Sequence, residues 1–172
     1  MQISPGHVRA RLRVVLLALL LCALWSAAAW AQQLRGEVSW VYDGDTIKVD
    51  GCGVVRLVGV DCPEKKDNCR DQEFIRLGAQ SAERLRHSER ETLHYLVRTL
   101  KGKQVRLELG DPPWDKYGRM LAYVWLENGN MLNRELLRQG RVRVYRYFDF
   151  TRKQEFLDLE AEAIRSKRGM WE

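Results

Sequence analysis

Cysteine and histidine are scarce in this chain, which has four and three of them among its 172 residues. No Cys-x-x-Cys pair occurs, and no histidine lies near a cysteine in the sequence. These absences argue against a cysteine-ligated metal centre. Internal repeats and low-complexity segments are also missing. Because 45% hydrophobic and 30% charged residues are an ordinary globular composition, the sequence predicts one domain with one core.

Acidic residues are absent from the first 31 residues. There, three arginines precede an apolar run over residues 14–25, and the tripeptide at 29–31 has the small-x-small pattern of a signal cleavage site. We therefore expect residues 1–31 to be a secretory signal peptide, and the domain over residues 32–172 to be exported, either periplasmic or secreted. The alternative is an uncleaved membrane anchor over residues 14–31, since that run approaches the roughly 18 apolar residues of a minimal span.

Neither sign of charge dominates once the first 31 residues are set aside. The full chain has 29 basic and 23 acidic residues, and the three N-terminal arginines account for half of its net charge of +6. Overall charge is therefore a weak indicator of a nucleic-acid partner, although a local basic surface stays open. Basic residues concentrate late in the chain, at Arg138, Arg141, Arg143, Arg146, Arg152 and Lys153.

Three cysteines remain in the exported part, at positions 52, 62 and 69. Their number is odd, so they cannot all pair with one another. In an oxidising compartment Cys62 and Cys69 could form a disulfide that stiffens the polar loop between them. Pairing of Cys52 with either one stays open.

Five segments have the residue pattern of β-strands, either alternating or continuously apolar. They are residues 37–42, 46–49, 54–60, 104–109 and 120–126. Helical spacing of apolar residues marks the segments 74–101, 132–139 and 151–167. The polar stretch 86–91 either divides the first of these into two helices or lets one helix project into solvent.

The order of these elements predicts the fold class. Three strands, a helix, two strands and two helices are the order of an open five-stranded Greek-key barrel of the oligonucleotide-binding (OB) type. This is an α+β fold, mainly β, with about three helices. A small mixed sandwich would give much the same order and stays open as an alternative.

Three short motifs place carboxylates and arginines beside the predicted strands. They are Asp43-Gly44-Asp45-Thr46, Arg56-Leu57-Val58-Gly59-Val60-Asp61-Cys62-Pro63-Glu64 and Asp115-Lys116-Tyr117-Gly118-Arg119. Carboxylate oxygens suit a hard divalent cation, and arginine offers a planar fork of donors matched to phosphate oxygens. Together they indicate a site for a metal and a phosphate. An EF-hand starting at Asp43 is excluded, because Lys48 replaces the required glycine and Val54 replaces the glutamate.

With these motifs in this order and spacing, the chain resembles the staphylococcal nuclease (thermonuclease) family over about residues 37–171. The segment 133–140 also resembles the family's helix after the fifth strand. The resemblance implies an OB barrel, a calcium ion (Ca2+) as cofactor, and hydrolysis of DNA and RNA phosphodiesters to 3′-phosphate products. It implies no stable protein partner, and we expect a monomer.

The resemblance also implies a metal site. Asp45 and Asp61 would bind the calcium ion together with the backbone carbonyl of Cys62, and Asp43 would support them. Two close carboxylates repel each other, and a divalent cation between them removes that repulsion. Cys62 stands where the best-known members of the family have threonine, which is harmless if only the carbonyl binds the metal.

Catalytic and substrate-binding roles follow from the same resemblance. Arg56 and Arg119 would grip the scissile phosphate, where negative charge builds in the transition state, and Glu64 would act on the attacking water. The fixed φ of Pro63 would help to aim Glu64. The residues that would contact a neighbouring phosphate or the nucleotide are Lys116, Tyr117, Tyr145 and Tyr147.

A non-catalytic OB module that binds nucleic acid or protein at the cell envelope is the alternative function. Retention of the complete set of acids and arginines argues against it, whereas an uncleaved N-terminal anchor would favour it. The segment 64–93 is longer than the family pattern, so the preferred substrate stays open. His87 and His94 lie away from every motif, and we interpret them as surface or packing residues.

Overall fold

Seven strands are present in the computed structural model of the protein, which describes residues 34–172. In chain order they are β1 (Leu34–Val41), β2 (Thr46–Val49), β3 (Gly53–Leu57), β4 (Val60–Asp61), β5 (Gln104–Trp114), β6 (Met120–Leu126) and β7 (Arg143–Val144). Five of them close into a barrel in the order β1-β2-β3-β6-β5, and β4 pairs with β7 in a separate ladder. The predicted five-stranded barrel is confirmed, and the sandwich alternative is excluded.

The barrel is closed rather than open because β1 pairs with a neighbour along both of its edges. It runs antiparallel to β2 and, over Leu34–Glu37, antiparallel to β5. Strand β3 runs parallel to β6, which requires a long crossover between them. That crossover supplies the loop over residues 62–70, which follows β4.

Four α-helices and one short 3-10 helix accompany the strands over residues 34–172. They are α1 (Asp71–Leu77), α2 (Ala82–Leu100), α3 (Leu132–Arg138), α4 (Lys153–Arg165) and the 3-10 helix Gly169–Trp171. There is one helix more than expected, because the segment predicted over 74–101 is divided near Gly78 and not in the polar stretch 86–91. Gly78 has a φ of 126°, and the Ser81 hydroxyl caps α2 by accepting a hydrogen bond from the Arg84 amide at 3.1 Å.

Inward-facing aliphatic residues of the strands fill the barrel. Val38, Ile47 and Val55 are fully buried there. Leu96 of α2 and Phe156 of α4 belong to the same apolar cluster. The helices therefore cover the barrel with their apolar faces, as the helical spacing of apolar residues predicts.

Asn133 connects the barrel to the segment that leads into the cleft described below. It is fully buried in α3, where its side-chain oxygen accepts a hydrogen bond from the Val124 amide at 3.0 Å. Its side-chain nitrogen donates to the Val58 carbonyl at 2.9 Å. An unpaired buried backbone group costs about 1–3 kcal/mol, so these two bonds fix Val58, and with it the start of β4, against α3 and β6.

Residues 1–33 lie outside the described part of the chain, and so does the predicted signal peptide or anchor over residues 1–31. Among residues 34–172, no helix is long and apolar enough to cross a membrane. Export of the protein therefore stays a prediction from the sequence.

Candidate active site

A cleft of about 780 Å3 opens where the loop before β2, the β4–β7 ladder and the β5–β6 turn meet. Residues of all three sequence motifs line it, although the motifs are far apart in the chain. Of the candidate site residues, Tyr147 alone does not line the cleft. The lining residues proposed from the sequence are Asp43, Asp45, Arg56, Asp61, Cys62, Glu64, Lys116, Tyr117, Arg119 and Tyr145.

Arg56 stands between the two candidate metal ligands. The register of β2 and β3 pairs Thr46 with Arg56, which places Asp45 next to the arginine. The Arg56 guanidinium contacts Asp45 Oδ1 and lies 3.4 Å from Asp61 Oδ1, and it donates to the Val60 carbonyl at 3.1 Å. Burial lowers the pKa of Arg56, and the neighbouring Asp61 carboxylate opposes that shift. The cleft therefore holds a charged donor fork in a fixed position.

Asp61 receives two further arginines that sequence reasoning did not assign to the site. Arg143 donates to Asp61 Oδ2 through Nε at 3.0 Å and Nη2 at 2.8 Å, and Arg70 Nη1 lies 3.1 Å from Oδ1. Arg143 and Asp61 have side-chain exposures of 3% and 2%. Burial acts to lower the pKa of Arg143, but attraction to Asp61 and the hydrogen bonds that Arg143 donates to Glu73 and Asp61 outweigh it, so the pKa is raised. The buried carboxylate is thus fully compensated.

The origin of these missed contacts is the β4–β7 ladder. It pairs Asp61 directly with Arg143. Each of the two strands is only two residues long, too short to leave a periodic pattern in the sequence. The sequence shows Arg143 as one member of the late basic cluster in an extended segment over residues 142–147, and Arg70 as a residue of an irregular loop, but no pattern in it pairs either one with Asp61.

The candidate metal ligands carry the donors that calcium prefers, but a guanidinium lies among them. No group of three acidic, histidine or cysteine side chains arranged for a metal ion is found within residues 34–172. Asp45 and Asp61 share Arg56, and Asp45 Oδ2 accepts the Cys62 amide at 2.8 Å. Asp43 lines the same cleft, and burial raises its pKa despite the nearby Arg56. The carboxylates of Asp43, Asp45 and Asp61 supply the oxygen donors that a hard cation prefers.

Glu64 lies at the mouth of the cleft and is paired with Arg70. Its carboxylate contacts Arg70 Nη2, while Arg70 Nη1 binds Asp61. Glu64 remains half exposed, with 49% of its side chain accessible. Arg70 therefore ties the exposed candidate base to the buried carboxylate of the same cleft.

The β5–β6 turn fixes Arg119 through Asp115, a third residue of the site that the sequence reasoning left without a role. Asp115 Oδ1 accepts the amides of Tyr117 and Arg119 at 2.9 Å each, and Oδ2 accepts Arg119 Nε at 2.7 Å. Burial acts to raise the pKa of Asp115, but the Arg119 and Tyr117 hydrogen bonds outweigh it and lower the pKa. The Tyr117 ring is 72% exposed, and Lys116 Nζ and the Arg119 guanidinium lie 5.0 and 5.5 Å from its centroid.

The two late tyrosines occupy different positions. Tyr145 lines the cleft, and its ring meets that of Tyr147 edge to face, with centroids 5.2 Å apart. Tyr147 donates a hydrogen bond to Glu73, which also accepts one from Arg143 Nη1 at 2.7 Å. Tyr147 is therefore linked to Asp61 through Glu73 and Arg143 and lies beside the cleft. Trp114 lines the cleft as well and is 52% exposed, a position that sequence reasoning missed.

All three described cysteines are free thiols. Cys62 is buried against Gly44, where a Cβ atom would lie 2.0 Å from the Cys62 sulfur. Burial raises the pKa of Cys62 well above its usual value, and the carboxylate of Asp43 adds to the shift. Cys69 is exposed and Cys52 is half-buried. The loop that carries Glu64 is therefore held by the Glu64–Arg70–Asp61 contacts and not by a disulfide.

The two loop cysteines are expected to differ in reactivity. Because the thiolate is the reactive form, iodoacetamide should modify Cys69 in the folded protein and leave Cys62 unmodified until the chain unfolds. Peptide mass spectrometry of samples labelled with and without urea measures this, with Cys69→Ser as the control. Rapid labelling of Cys62 in the folded protein would contradict the buried position of its sulfur.

Comparison with known proteins adds to this geometry. A family model described as staphylococcal nuclease homologue matches residues 54–172. The chain is 37% identical over 147 residues to an uncharacterised protein of Methanocaldococcus jannaschii, covering 79% of this chain and 70% of that one. It is 35% identical over 148 residues to the thermonuclease of Staphylococcus intermedius, covering 81% and 79%. It is 34% identical over 146 residues to the thermonuclease of Staphylococcus hyicus, covering 82% and 78%.

Proposed function

Since the chain belongs to the staphylococcal nuclease family, and is thus a nuclease that hydrolyses phosphodiesters, we propose that it is an exported, calcium-dependent enzyme that cleaves DNA and RNA to 3′-phosphate products. One observation carries this proposal. Residues of three separate motifs line one cleft: Asp45 from the first, Arg56, Asp61 and Glu64 from the second, and Arg119 from the third.

Arg56 and Arg119 bind the scissile phosphate in this proposal. Attack by water places extra negative charge on the phosphate oxygens, and donors held in position before the reaction stabilise that charge most effectively. Arg56 is held by two carboxylates and a carbonyl, and Arg119 by Asp115. Each guanidinium still has donors left for a phosphate, because arginine carries five N–H groups.

Glu64 orients the attacking water and accepts its proton. A general base must lie within hydrogen-bond reach of the water, and Glu64 is an acidic residue at the exposed mouth of the cleft, next to the arginine that also binds Asp61. Arg70 is a positioning residue, because it contacts Glu64 and Asp61 at once. The water oxygen bonds to phosphorus, the bond from phosphorus to the 5′-oxygen breaks, the leaving 5′-oxygen takes a proton from solvent to become a hydroxyl, and the phosphate stays on the 3′ side.

Asp45 and Asp61, with the backbone carbonyl of Cys62 and with Asp43 in support, would hold the calcium ion. When bound, the ion supplies further positive charge for the phosphate. Arg56 shares an oxygen of each aspartate, and a substrate phosphate offers it another anionic partner.

Titration of calcium against a chelator tests this function. The mature protein should degrade single-stranded DNA and RNA in millimolar calcium and lose that activity in excess EGTA. Product ends are measured by phosphatase treatment, which should release phosphate from 3′ ends. The double variant Arg56→Ala, Arg119→Ala is the negative control. Arg165→Ala, which removes an exposed arginine of α4 that does not line the cleft, should behave like the unmodified protein.

Binding of DNA without cleavage under every calcium concentration would contradict the proposal and favour the non-catalytic OB module. The export part rests on residues 1–31 alone. N-terminal sequencing of the protein recovered from its producing cells should find a start near Gln32, and an intact N-terminus in the membrane fraction would favour the anchor.

A further inference from the structure

A second groove, of about 690 Å3, lies between the end of β1 and helix α2, and we call it the β1–α2 groove. Two aromatic residues, Trp40 and Tyr42, form its β1 side, and Val97 and Arg98 belong to its α2 side. None of these residues lines the catalytic cleft. The groove is therefore a separate surface of the same domain.

The aromatic side of the groove is exposed because β1 contains a bulge. Val38 pairs with Val49 and Trp40 with Lys48, so one residue of β1 is extra between them. Without that extra residue, Trp40 would face the core like Val38. Instead, Trp40 is 52% exposed and Tyr42 41% exposed, whereas Val38 is fully buried. The bulge in β1 therefore turns the Trp40 side chain from the core side of the strand to the solvent side.

The charge around these rings is predominantly positive. Lys65, Arg98 and Arg141 line the groove, and Glu91 is its one acidic lining residue. Lys101 Nζ lies 5.0 Å from the centroid of the Trp40 ring. Exposed rings flanked by cations fit a polymer with flat bases and a negative backbone, because bases stack on the rings and phosphates meet the cations. An apolar protein helix would offer these cations no negative charge.

The groove adjoins the catalytic cleft along two chain segments. Tyr42 precedes Asp43, and Lys65 follows Glu64, so that two chain segments pass directly from one surface to the other. Lys65 Nζ donates to the Tyr42 carbonyl at 3.1 Å and joins these two segments. A strand leaving the cleft past Glu64 therefore meets Lys65 and Tyr42 first.

We propose that the β1–α2 groove binds the part of a single-stranded nucleic acid that extends beyond the scissile phosphate, with bases stacked on Trp40 and Tyr42 and phosphates near Lys65 and Arg98. This rests on the proposed function of the neighbouring cleft. The groove makes the enzyme prefer long single strands over short substrates, because only a long strand reaches it.

Two substrates of different length test the groove. Bis(p-nitrophenyl) phosphate fills only the cleft, whereas a 20-nucleotide single strand reaches both surfaces. The double variant Trp40→Ala, Tyr42→Ala should lower kcat/KM for the single strand at least about tenfold, since stacking contributes about 1–3 kcal/mol per base. Hydrolysis of the small ester should change less than about twofold, because surface substitutions away from the reacting groups have small energetic effects. Leu109→Ala, which removes an exposed apolar side chain lining neither surface, is the matched control.

A binding measurement separates the groove from the chemistry. In the Arg56→Ala, Arg119→Ala background, fluorescence anisotropy with the labelled 20-nucleotide strand should show a Kd raised at least about tenfold by the aromatic double variant. The charge reversal Arg98→Glu, at an exposed helix position, should raise the same Kd. It should also make the Kd depend less steeply on the salt concentration. This second variant tests the groove even if the aromatic variant folds poorly.

The outcomes are distinguishable. If the unmodified protein cleaves neither substrate, the proposed function is wrong, and the anisotropy measurement still decides the groove. If the aromatic and Arg98 variants bind and cleave the long strand as the unmodified protein does, the groove is not a nucleic-acid site. An equal loss on both substrates would also overturn it, because the rings would then act on the cleft itself.

Discussion

Replacing Arg56 with alanine is expected to lower kcat for single-stranded DNA by roughly 10²–10³-fold, the usual loss when one donor to a developing oxyanion is removed. The effect is large because Arg56 is held in place before substrate arrives, by Asp45, Asp61 and the Val60 carbonyl. Donors fixed in advance need no reorganisation during the reaction. Single-turnover cleavage with excess enzyme measures the chemical step directly.

Arg56→Lys is the informative companion, since lysine keeps the charge and loses the planar fork. Its rate should fall between those of alanine and arginine. Circular dichroism and a thermal melt check the fold of both variants, because removing Arg56 leaves Asp45 and Asp61 less compensated. A folded Arg56→Ala protein that keeps more than about a tenth of the rate, a loss too small for a transition-state donor, would exclude Arg56 from direct contact with the phosphate.

Replacing Arg143 with methionine is expected to lower the free energy of unfolding by about 3–5 kcal/mol, the cost of removing one partner of a buried ion pair. Asp61 is almost fully buried and would lose the two hydrogen bonds to its Oδ2 atom. Methionine preserves much of the volume of the arginine stem, so the loss reports mainly on the charge. Asp61 would keep its contacts with Arg56 and Arg70, so we expect a loss at the lower end of that range. Urea denaturation at neutral pH measures it.

The double variant Arg143→Met, Asp61→Asn tests the mechanism. Without the charge on Asp61, the loss of Arg143 should matter less, so the two changes should be non-additive by at least about 1 kcal/mol. Arg165→Met on the exposed face of α4 should change the stability by less than about 0.5 kcal/mol. Additive losses for Arg143 and Asp61 would contradict the ion pair as the source of the stability.

Much of the site was readable from the sequence because its main parts are local. Asp45 directly precedes β2, Arg56 lies on β3 and Asp61 ends β4, so all three lie within 17 residues of the chain, and the pairing of β2 with β3 places Asp45 beside Arg56. The motif Asp115 to Arg119 is a tight turn whose own hydrogen bonds set its shape. Calcium binding and the division of roles among these residues came from the resemblance to a family, and they stay predictions.

The contacts that sequence reasoning missed join distant segments. Asp61 and Arg143 are 82 residues apart. Tyr147 reaches Glu73 across 74 residues, which draws its hydroxyl to α1 beside the cleft. In a strand without a bulge, Trp40 and Val38 would face the same side of the sheet. The bulge in β1 turns Trp40 outward instead. No local pattern of apolar and polar residues encodes such choices.

The sequence by itself determined the barrel, the helices that cover it and the kind of chemistry the cleft offers, because strand alternation, helical spacing and short charged motifs are local properties of the chain. The tertiary structure decided which arginines compensate Asp61 and where Tyr147 lies. It also decided that Trp40 and Tyr42 are exposed beside basic residues in the β1–α2 groove. Those outcomes depend on which distant segments pack together, and that packing is fixed by the folded chain as a whole.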